Sequence, residues 1–421
     1  MGYADSDARK WVYHTQTEKK HQILKSYLDA WYPILGSWNR RLVVVDGFAG
    51  RARYTPRGNL QANDEEKIEG SPLIMLKSLI DHDRFRNGAL SGLQFVFLFI
   101  ELDGENHRLL KEEIDRYKAS MPSWPTNVTV LVKPYRFDDV SKNGIEEYVL
   151  NAPIGLKFAQ ATFLFVDPFG FTGFSIDLLS QICRKRDGHT VELFLNFMSD
   201  YILRSVCEQS QGRNLSQEQH MTKLFGVNIE EWRKYRDGSE QNSEELITLF
   251  TNQLQNHAQF NHILSLAMKR QDKSTIYYLV YATRHIKGVE AMKNAMWKWD
   301  SDAVEALCSK AEPIEAQLLR YLQTKLQGEL FSIGEIEEFI LAHTPFKKGA
   351  GLAALKKLED NGGISLEEGG RSGRGYLKDS KFSFNGVGRI NLGDKRKQRL
   401  ENGSPSKKQA TIESFFKPRK A

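Results

Sequence analysis

Cysteine is scarce in this chain: three residues, Cys183, Cys207 and Cys308, stand far apart among 421 and form no C-x-x-C pair. Their spacing argues against a zinc site and against a disulfide framework, so no metal is expected. Long apolar runs are missing too, and nothing approaches the ~18 uninterrupted apolar residues of a membrane span. The opening stretch, Met1 to Lys20, is polar and charged, with no apolar segment before a small-residue cleavage site, which predicts a cytoplasmic protein. Charge of one sign is also absent from most of the sequence. The net charge is +6, yet nine basic residues against three acidic ones lie between Asp394 and Ala421, so the first 393 residues are neutral on balance. The basic character therefore describes an appendage and not the folded body. What remains, 40% hydrophobic and 27% charged, is globular, and the length predicts two or three domains.

From about Trp11 to Trp31 the apolar residues Ile23, Leu24, Tyr27, Leu28 and Trp31 mark one face of a helix, which Pro33 and Gly36 should end. Leu42-Val43-Val44-Val45 is a short β-branched run that enters Asp46-Gly47-Phe48-Ala49-Gly50, a strand followed by a glycine turn. A polar loop should follow to Glu69, and Gly70-Ser71-Pro72 should open a helix through Ile80 with Ser71 as its cap. Further strands are predicted at Phe95–Ile100, Val128–Val132, Phe163–Val166 and Val191–Phe197, with a helix from Glu105 to Ala119. Strands alternating with helices imply βαβ crossovers and a Rossmann-like, doubly wound α/β sheet. The polar stretch 200–273 reads as a helical insertion, after which 274–311 completes the sheet with a strand at Thr275–Thr283 and a helix carrying Met292, Met296 and Trp297. Residues 312–387 predict three helices and two strands, Gly363–Leu366 and Tyr376–Phe384, joined by a glycine-rich hairpin: the outline of a winged helix. Residues 388–421 are low in hydrophobics and predict a disordered basic tail.

Four groups of residues could carry chemistry in the body of the chain. A glycine at a strand end lets backbone approach a ligand, and Asp46-Gly47-Phe48-Ala49-Gly50 is similar to the Asp-x-Phe-x-Gly-x-Gly turn of S-adenosylmethionine-dependent methyltransferases, with Ala52 where the last glycine would stand. Glu101, ending the second strand of the sheet, is placed to accept hydrogen bonds from two ribose hydroxyls, or is a solvated carboxylate. Asp167-Pro168-Phe169-Gly170 ends the fourth strand where amino-methyltransferases carry Asp-Pro-Pro-Tyr; the second proline is absent and the ring arrives one position early. In that reading Asp167 and the Pro168 backbone accept from the target amine and Phe169 stacks on the base; the alternative is a plain strand-to-turn Asp-Pro. In the winged-helix-like unit, Lys347, Lys348, Lys356 and Lys357 on the third helix and Arg371 and Arg374 on the wing would meet nucleic acid, while nearby Glu335, Glu337, Glu338, Glu367 and Glu368 suit a protein-docking module.

With Trp11, Lys19, Ile23-Leu24, Tyr27-Leu28 and Trp31 before these motifs, Gly70-Ser71-Pro72-Leu73 between them, and Tyr277-Tyr278-Leu279-Val280-Tyr281-Ala282-Thr283, Gly288, Met292 and Met296-Trp297 after them, the chain resembles the three-Cys-motif partner protein family over roughly Ala8 to Asn385. The family's name refers to cysteines of a neighbouring, radical-chemistry-like partner. The resemblance implies a methyltransferase-type sheet, S-adenosylmethionine as cofactor, and a link to DNA or a DNA-acting partner. By position, Asp46, Phe48, Ala49, Gly50, Gly70, Ser71 and Glu101 would form the cofactor pocket, with Asp138 at the adenine ring and Asp167, Pro168 and Phe169 at the reacting end.

In the tail, Gln409-Ala410-Thr411-Ile412-Glu413-Ser414-Phe415-Phe416 looks like the peptide that binds PCNA-type sliding clamps. One 3₁₀ turn would put Ile412, Phe415 and Phe416 on one side as an apolar plug, with Gln409 in a polar pocket. This suggests an archaeal source. Two functions follow: a nucleic-acid methyltransferase of DNA repair or modification recruited by a clamp, or a non-catalytic DNA- and clamp-binding scaffold that delivers a partner enzyme.

Overall fold

The computed structural model describes residues 12–57, 59, 63, 66–152, 159–208, 215–234, 240–270, 274–325, 330–373 and 375–385. The chain folds as two compact units, Met1–Asp300 and Ser301–Ala421.

The strands of the first unit are β1 (Val12–Tyr13), β2 (Arg41–Asp46), β3 (Arg53–Pro56), β4 (Ile68–Glu69), β5 (Gln94–Ile100), β6 (Val128–Lys133), β7 (Gln160–Val166), β8 (His189–Phe197), β9 (His262–Lys269) and β10 (Thr275–Thr283). Seven of them form one sheet in the order β6-β5-β2-β7-β8-β10-β9, with β10 antiparallel to both neighbours. This is the Rossmann-like, methyltransferase-type arrangement, and its strand order reverses at β2, where ligands of open α/β sheets bind. The central strands are buried on both faces, which is why they read as continuous apolar runs.

The register sets the site. Asp46 pairs across to Phe99 on one side and Phe165 on the other. Glu101 and Asp167 therefore leave the sheet at one level, flanking the turn after β2.

Helix Thr15–Gly36 lies on one face of the sheet between helices Ser71–Ile80 and Ile286–Trp299. Successive strand residues point to opposite faces, so Phe197 packs against Phe250 of helix Glu240–Ala258, ring centroids 4.8 Å apart, across the sheet from its neighbour Asn196.

Several expectations need correction. Pro33 does not end the first helix, which runs to Gly36 with the proline inside. A proline lacks the N–H that would bond the carbonyl four residues back; that carbonyl, on Asp29, is taken by His82 Nε2 at 3.0 Å, while His82 Nδ1 accepts from the Arg84 N–H. Ser71 does not cap its helix. Gly70 is the N-cap, and the Ser71 hydroxyl donates to Asp46 at 2.6 Å instead. The segment before Glu69 is not all loop, since β1, β3 and β4 form a small sheet. Nor is 200–273 wholly helical: after helices Ser199–Glu208, Leu215–Phe225, Ile229–Arg233 and Glu240–Ala258 comes β9, the sheet's edge. Its buried residues Leu264, Leu266 and Met268 alternate with half-exposed ones, the period-two pattern of a one-sided strand.

The second unit carries helices Ser301–Lys310, Ile314–Lys325, Ile333–His343 and Lys348–Asp360, with strands β11 (Phe331–Ser332), β12 (Ile364–Glu368) and β15 (Lys381–Phe384) in the order β11-β15-β12. Phe331–Ser332 thus adds a third strand to the two expected in this unit. A ribbon of β13 (Arg371–Ser372) and β14 (Gly375–Tyr376) makes the wing. Ser332 and Glu335 close a capping box at the second helix of the winged fold. Gly351 lets the third helix approach closely, because a Cβ there would lie 1.9 Å from Ile340. Of the cysteines, Cys183 is a buried thiol whose pKa burial pushes up to about 12, and Cys308 is half-buried. Among the described residues no helix is long and apolar enough to cross a membrane, and no metal-ligating cluster occurs.

Candidate functional site

A cleft of about 1190 Å³ opens along the carboxyl ends of β2, β5, β6 and β7. Its walls include Gly47 and Phe48, Glu101 to Asn106, Tyr135 to Phe137, and Phe169 with Thr172 and Gly173. Phe48 and Phe137 stand with ring centroids 5.5 Å apart, and Gly47 is required beneath them, since a Cβ would come within 2.6 Å of the Phe137 ring. Phe169 is 63% exposed at the other end of the cleft.

The turn after β2 is tied down by its own backbone. Ala49 N–H donates to Ile100 O at 2.9 Å, and Gly50 N–H to Glu101 Oε2 at 2.8 Å. Gly50 and Ala52 both have φ of 64°. Ala52 thus holds a left-handed conformation that favours glycine. Gly70 donates its N–H to Ala52 O at 2.7 Å, and a side chain on Gly70 would crowd that carbonyl.

Glu101 also accepts from Asp103 N–H at 2.8 Å. Each carboxylate oxygen then retains acceptor capacity, on a side chain that forms part of the cleft wall. Burial raises its pKa, and the two backbone donors oppose that shift. Asp103 caps helix Gly104–Ala119, and Arg51 bonds Asn106 at 3.1 Å.

Asp46 is fully buried and stands behind the turn rather than in the cleft. It accepts from Phe48 N–H at 3.2 Å and from the Ser71 hydroxyl. Burial raises its pKa to about 7; the Ser71 and Phe48 bonds oppose this, and the Asp167 and Glu101 charges add to it. A carboxyl whose folded pKa exceeds its unfolded value contributes stability that is complete below the unfolded pKa and lost as pH rises through the folded one. Stability measured by urea unfolding should therefore fall between about pH 4 and pH 7 by a few kcal/mol on account of this group. In Asp46→Asn that part of the slope should vanish; an unchanged slope would mean Asp46 is solvated.

Asp138 does not line the cleft. It is half exposed and paired with Arg136 in two bonds of 2.7 and 2.9 Å, which hold its pKa down. Its neighbour Phe137 supplies the aromatic wall instead.

Just past the end of β7, Asp167 is paired with Lys20 of helix Thr15–Gly36 and accepts from Asn196 Nδ2 at 2.7 Å. The first turn of that helix is fixed across the strand ends: Gln16 donates to Lys269 O, Tyr277 donates to Gln16 O, and Lys19 bonds Asp300. Deeper on the same sheet face, Tyr27 and Thr283 donate to buried Glu192, and Tyr27 bonds Tyr281. Sequence reading missed Lys20, Asn196 and Glu192, although the signals were there. Lys20 falls on the stripe of Ile23, Leu24 and Tyr27, and Glu192 and Asn196 interrupt an otherwise apolar strand four positions apart, hence on one face.

In the winged-helix unit, Lys348 pairs with Glu337, Lys357 with Glu315 and Arg371 with Glu359, each at 2.8 Å. Lys347 and Lys356 are exposed on the same helix end and flank. Arg374 and the clamp-like residues Gln409, Ile412, Phe415 and Phe416 lie outside the described residues.

No protein-family profile matches the chain, and no curated protein matches it. Among solved structures, a Legionella pneumophila protein of family DUF519 aligns at 11% identity and a TM-score of 0.33, over 69% of this chain and 94% of its own. A Galdieria sulphuraria protein assigned as a sarcosine dimethylglycine methyltransferase aligns at 7% identity and 0.26, over 62% and 84%. Geranyl diphosphate C-methyltransferase of Streptomyces coelicolor, solved with S-adenosyl-L-homocysteine, aligns at 11% and 0.24, over 61% and 79%. Scores this low carry no argument about function; the strand order and its antiparallel β10 carry the fold.

Proposed function

We propose that this chain is an S-adenosylmethionine-dependent methyltransferase acting on an amino group in nucleic acid, in DNA repair or modification, recruited by a PCNA-type sliding clamp. The observation that carries the reading is Glu101, held at a strand end by two backbone N–H groups beside a left-handed glycine turn, in a cleft that ends at Phe169. The donor set fits an adenosyl group. Glu101 would accept from ribose hydroxyls, Phe48 and Phe137 offer ring faces, and glycine at position 47 leaves backbone open to the ligand. The bound cofactor would supply an electrophilic methyl group; Asp167 and Asn196 would orient the accepting amine, and Phe169 would stack on its ring. Saturable calorimetric binding of S-adenosylmethionine to the full chain is the first test, and no binding by folded protein would sink the reading.

The tail supports recruitment through its sequence. Tethering raises local concentration without new contacts at the site. Replacing Phe415 and Phe416 together by alanine should weaken clamp binding in surface plasmon resonance by at least about 30-fold, since aromatic anchors in such plugs are worth about 2 kcal/mol or more each. Binding that survives the double substitution would refute the clamp peptide.

One observation favours a second reading, a non-catalytic scaffold that binds DNA and the clamp and delivers a three-Cys-motif partner. Asp167 is held by Lys20, and three of the basic residues of the winged unit are held by its own glutamates. The pairs of the winged unit, whose cations are a third or more exposed, are worth at most about 1 kcal/mol each, so they leave phosphate contact available. Cofactor binding without methyl transfer to any nucleic acid would decide for the scaffold.

A further inference from the structure

Part of the cleft wall comes from outside the sheet and its turns. Helix Leu215–Phe225 is anchored by one side, with Met221, Leu224 and Phe225 buried. Just past its end, at Gly226, a Cβ would come within 2.3 Å of Ile176, so the helix docks on the segment that follows Phe169. Residues three and four apart share a helix face, and Ser216, His220 and Lys223 stand on the adjoining, outward side, where Ser216 and Lys223 are exposed. Of these three it is His220 that lines the cleft, together with Phe48 and Phe137. Lys223, one turn further along, adds its charge to the Arg136 bonds that hold the Asp138 carboxyl down, which puts this side of the helix next to the segment after β6. One nitrogen of His220 is committed: Nδ1 lies 2.7 Å from Ser216 O. A carbonyl only accepts, so Nδ1 carries the proton, and in the uncharged ring Nε2 is an acceptor. Among the described residues Nε2 has no hydrogen-bond partner.

An adenosyl cofactor is a chain of base, ribose and methionine. With Glu101 on the ribose and the methyl group directed toward Asp167 and Phe169 beyond β7, the base lies on the other side of Glu101, toward the end of β6. The rings of Phe137 and Phe48 stand there, while Asp138, expected at the base, is turned to Arg136. What that end offers is aromatic surface and, from His220, an acceptor. Adenine presents a face to stack and an exocyclic amine to donate. A 6-oxopurine presents a carbonyl oxygen instead, which meets Nε2 as acceptor against acceptor unless the imidazole gives up Ser216. We infer that His220 Nε2 accepts from the exocyclic amine of the cofactor's adenine. Base specificity in the cleft is then set by helix Leu215–Phe225, within the stretch 200–273, and not by the acid after β6. The inference rests on the adenosyl reading above and names a specificity residue for that same site.

The test is calorimetric titration of the full chain, in mildly alkaline buffer that keeps imidazole uncharged, with S-adenosylhomocysteine and with S-inosylhomocysteine, which carries a carbonyl oxygen in place of the amine. Wild type should bind the adenosyl form about tenfold or more tighter, since a site arranged around a ligand's donor rejects the analogue that lacks it. His220→Phe should cut that preference several-fold, and His220→Gln, whose amide oxygen reaches about as far as Nε2, should keep more of it. Both ligands carry the ribose, so Glu101→Gln should weaken the two alike and leave the preference standing. Equal binding of the two ligands by wild type overturns this inference alone. So does a preference undiminished in His220→Phe or, where that variant fails to fold, in His220→Ala. If neither ligand binds the folded wild-type chain, the adenosyl reading fails and takes the inference with it.

Discussion

Replacing Glu101 with alanine is expected to weaken S-adenosylmethionine binding by at least about 100-fold in calorimetric titration, because two hydrogen bonds to a charged group are each worth about 1.5–3 kcal/mol. The carboxylate would meet both ribose hydroxyls while also holding Gly50 N–H and Asp103 N–H. Its loss therefore removes ligand contacts and loosens the turn that shapes the cleft. Glu101→Gln separates the two effects, since the amide keeps one accepting oxygen and the side-chain length. Affinity should fall in the order wild type, Gln, Ala. If alanine binds as tightly as wild type, the cleft is not an adenosyl site, and the fold is being used for something else.

Lys20→Met should carry the largest stability cost. The Lys20 side chain is 6% exposed and that of Asp167 14%, so the methionine variant leaves a carboxylate largely out of water without its cation. Breaking such a pair from one side costs about 3–5 kcal/mol, far above an exposed pair. The unfolding transition of the first unit should drop by roughly 10 °C, at about 2–4 °C for each kcal/mol in a unit of this size. Adding Asp167→Asn removes the stranded charge and should restore most of the loss, which makes the double-mutant cycle strongly non-additive. A loss below about 1 kcal/mol would mean the pair is solvated. The same variants bear on function, because Asp167 without Lys20 no longer holds Asn196 in a fixed setting.

The parts of the site that could be read from sequence are those whose chemistry sits within a few residues of the element that places them. Val43 to Gly50 is a strand and its turn; Ile100-Glu101 and Val166-Asp167 are strands and their terminal acids. A β-branched or aromatic run followed by glycine or an acid announces both the element and the end where ligands bind. Where a local signal was ambiguous, neighbours decided it. Ser71 has the chemistry of a cap, but buried Asp46 needed a donor more than the helix end did. Pro33 should stop a helix, but His82 arrives to satisfy the carbonyl it strands. Strand His262–Lys269 was hidden because a one-sided edge strand alternates polar and apolar residues within an otherwise polar segment.

By itself, then, the sequence determined the alternation of elements, the doubly wound sheet, the strand-end acids and the separation of a charged tail from a neutral body. These follow from local periodicity and composition. Only the tertiary structure decided which side chains meet. Lys20 stands 147 positions from Asp167, and Asn196 a further 29 beyond it. No local preference encodes such contacts; they exist because strand register and helix packing bring one sheet face under one helix, where a buried charge must find its partner or forfeit the fold.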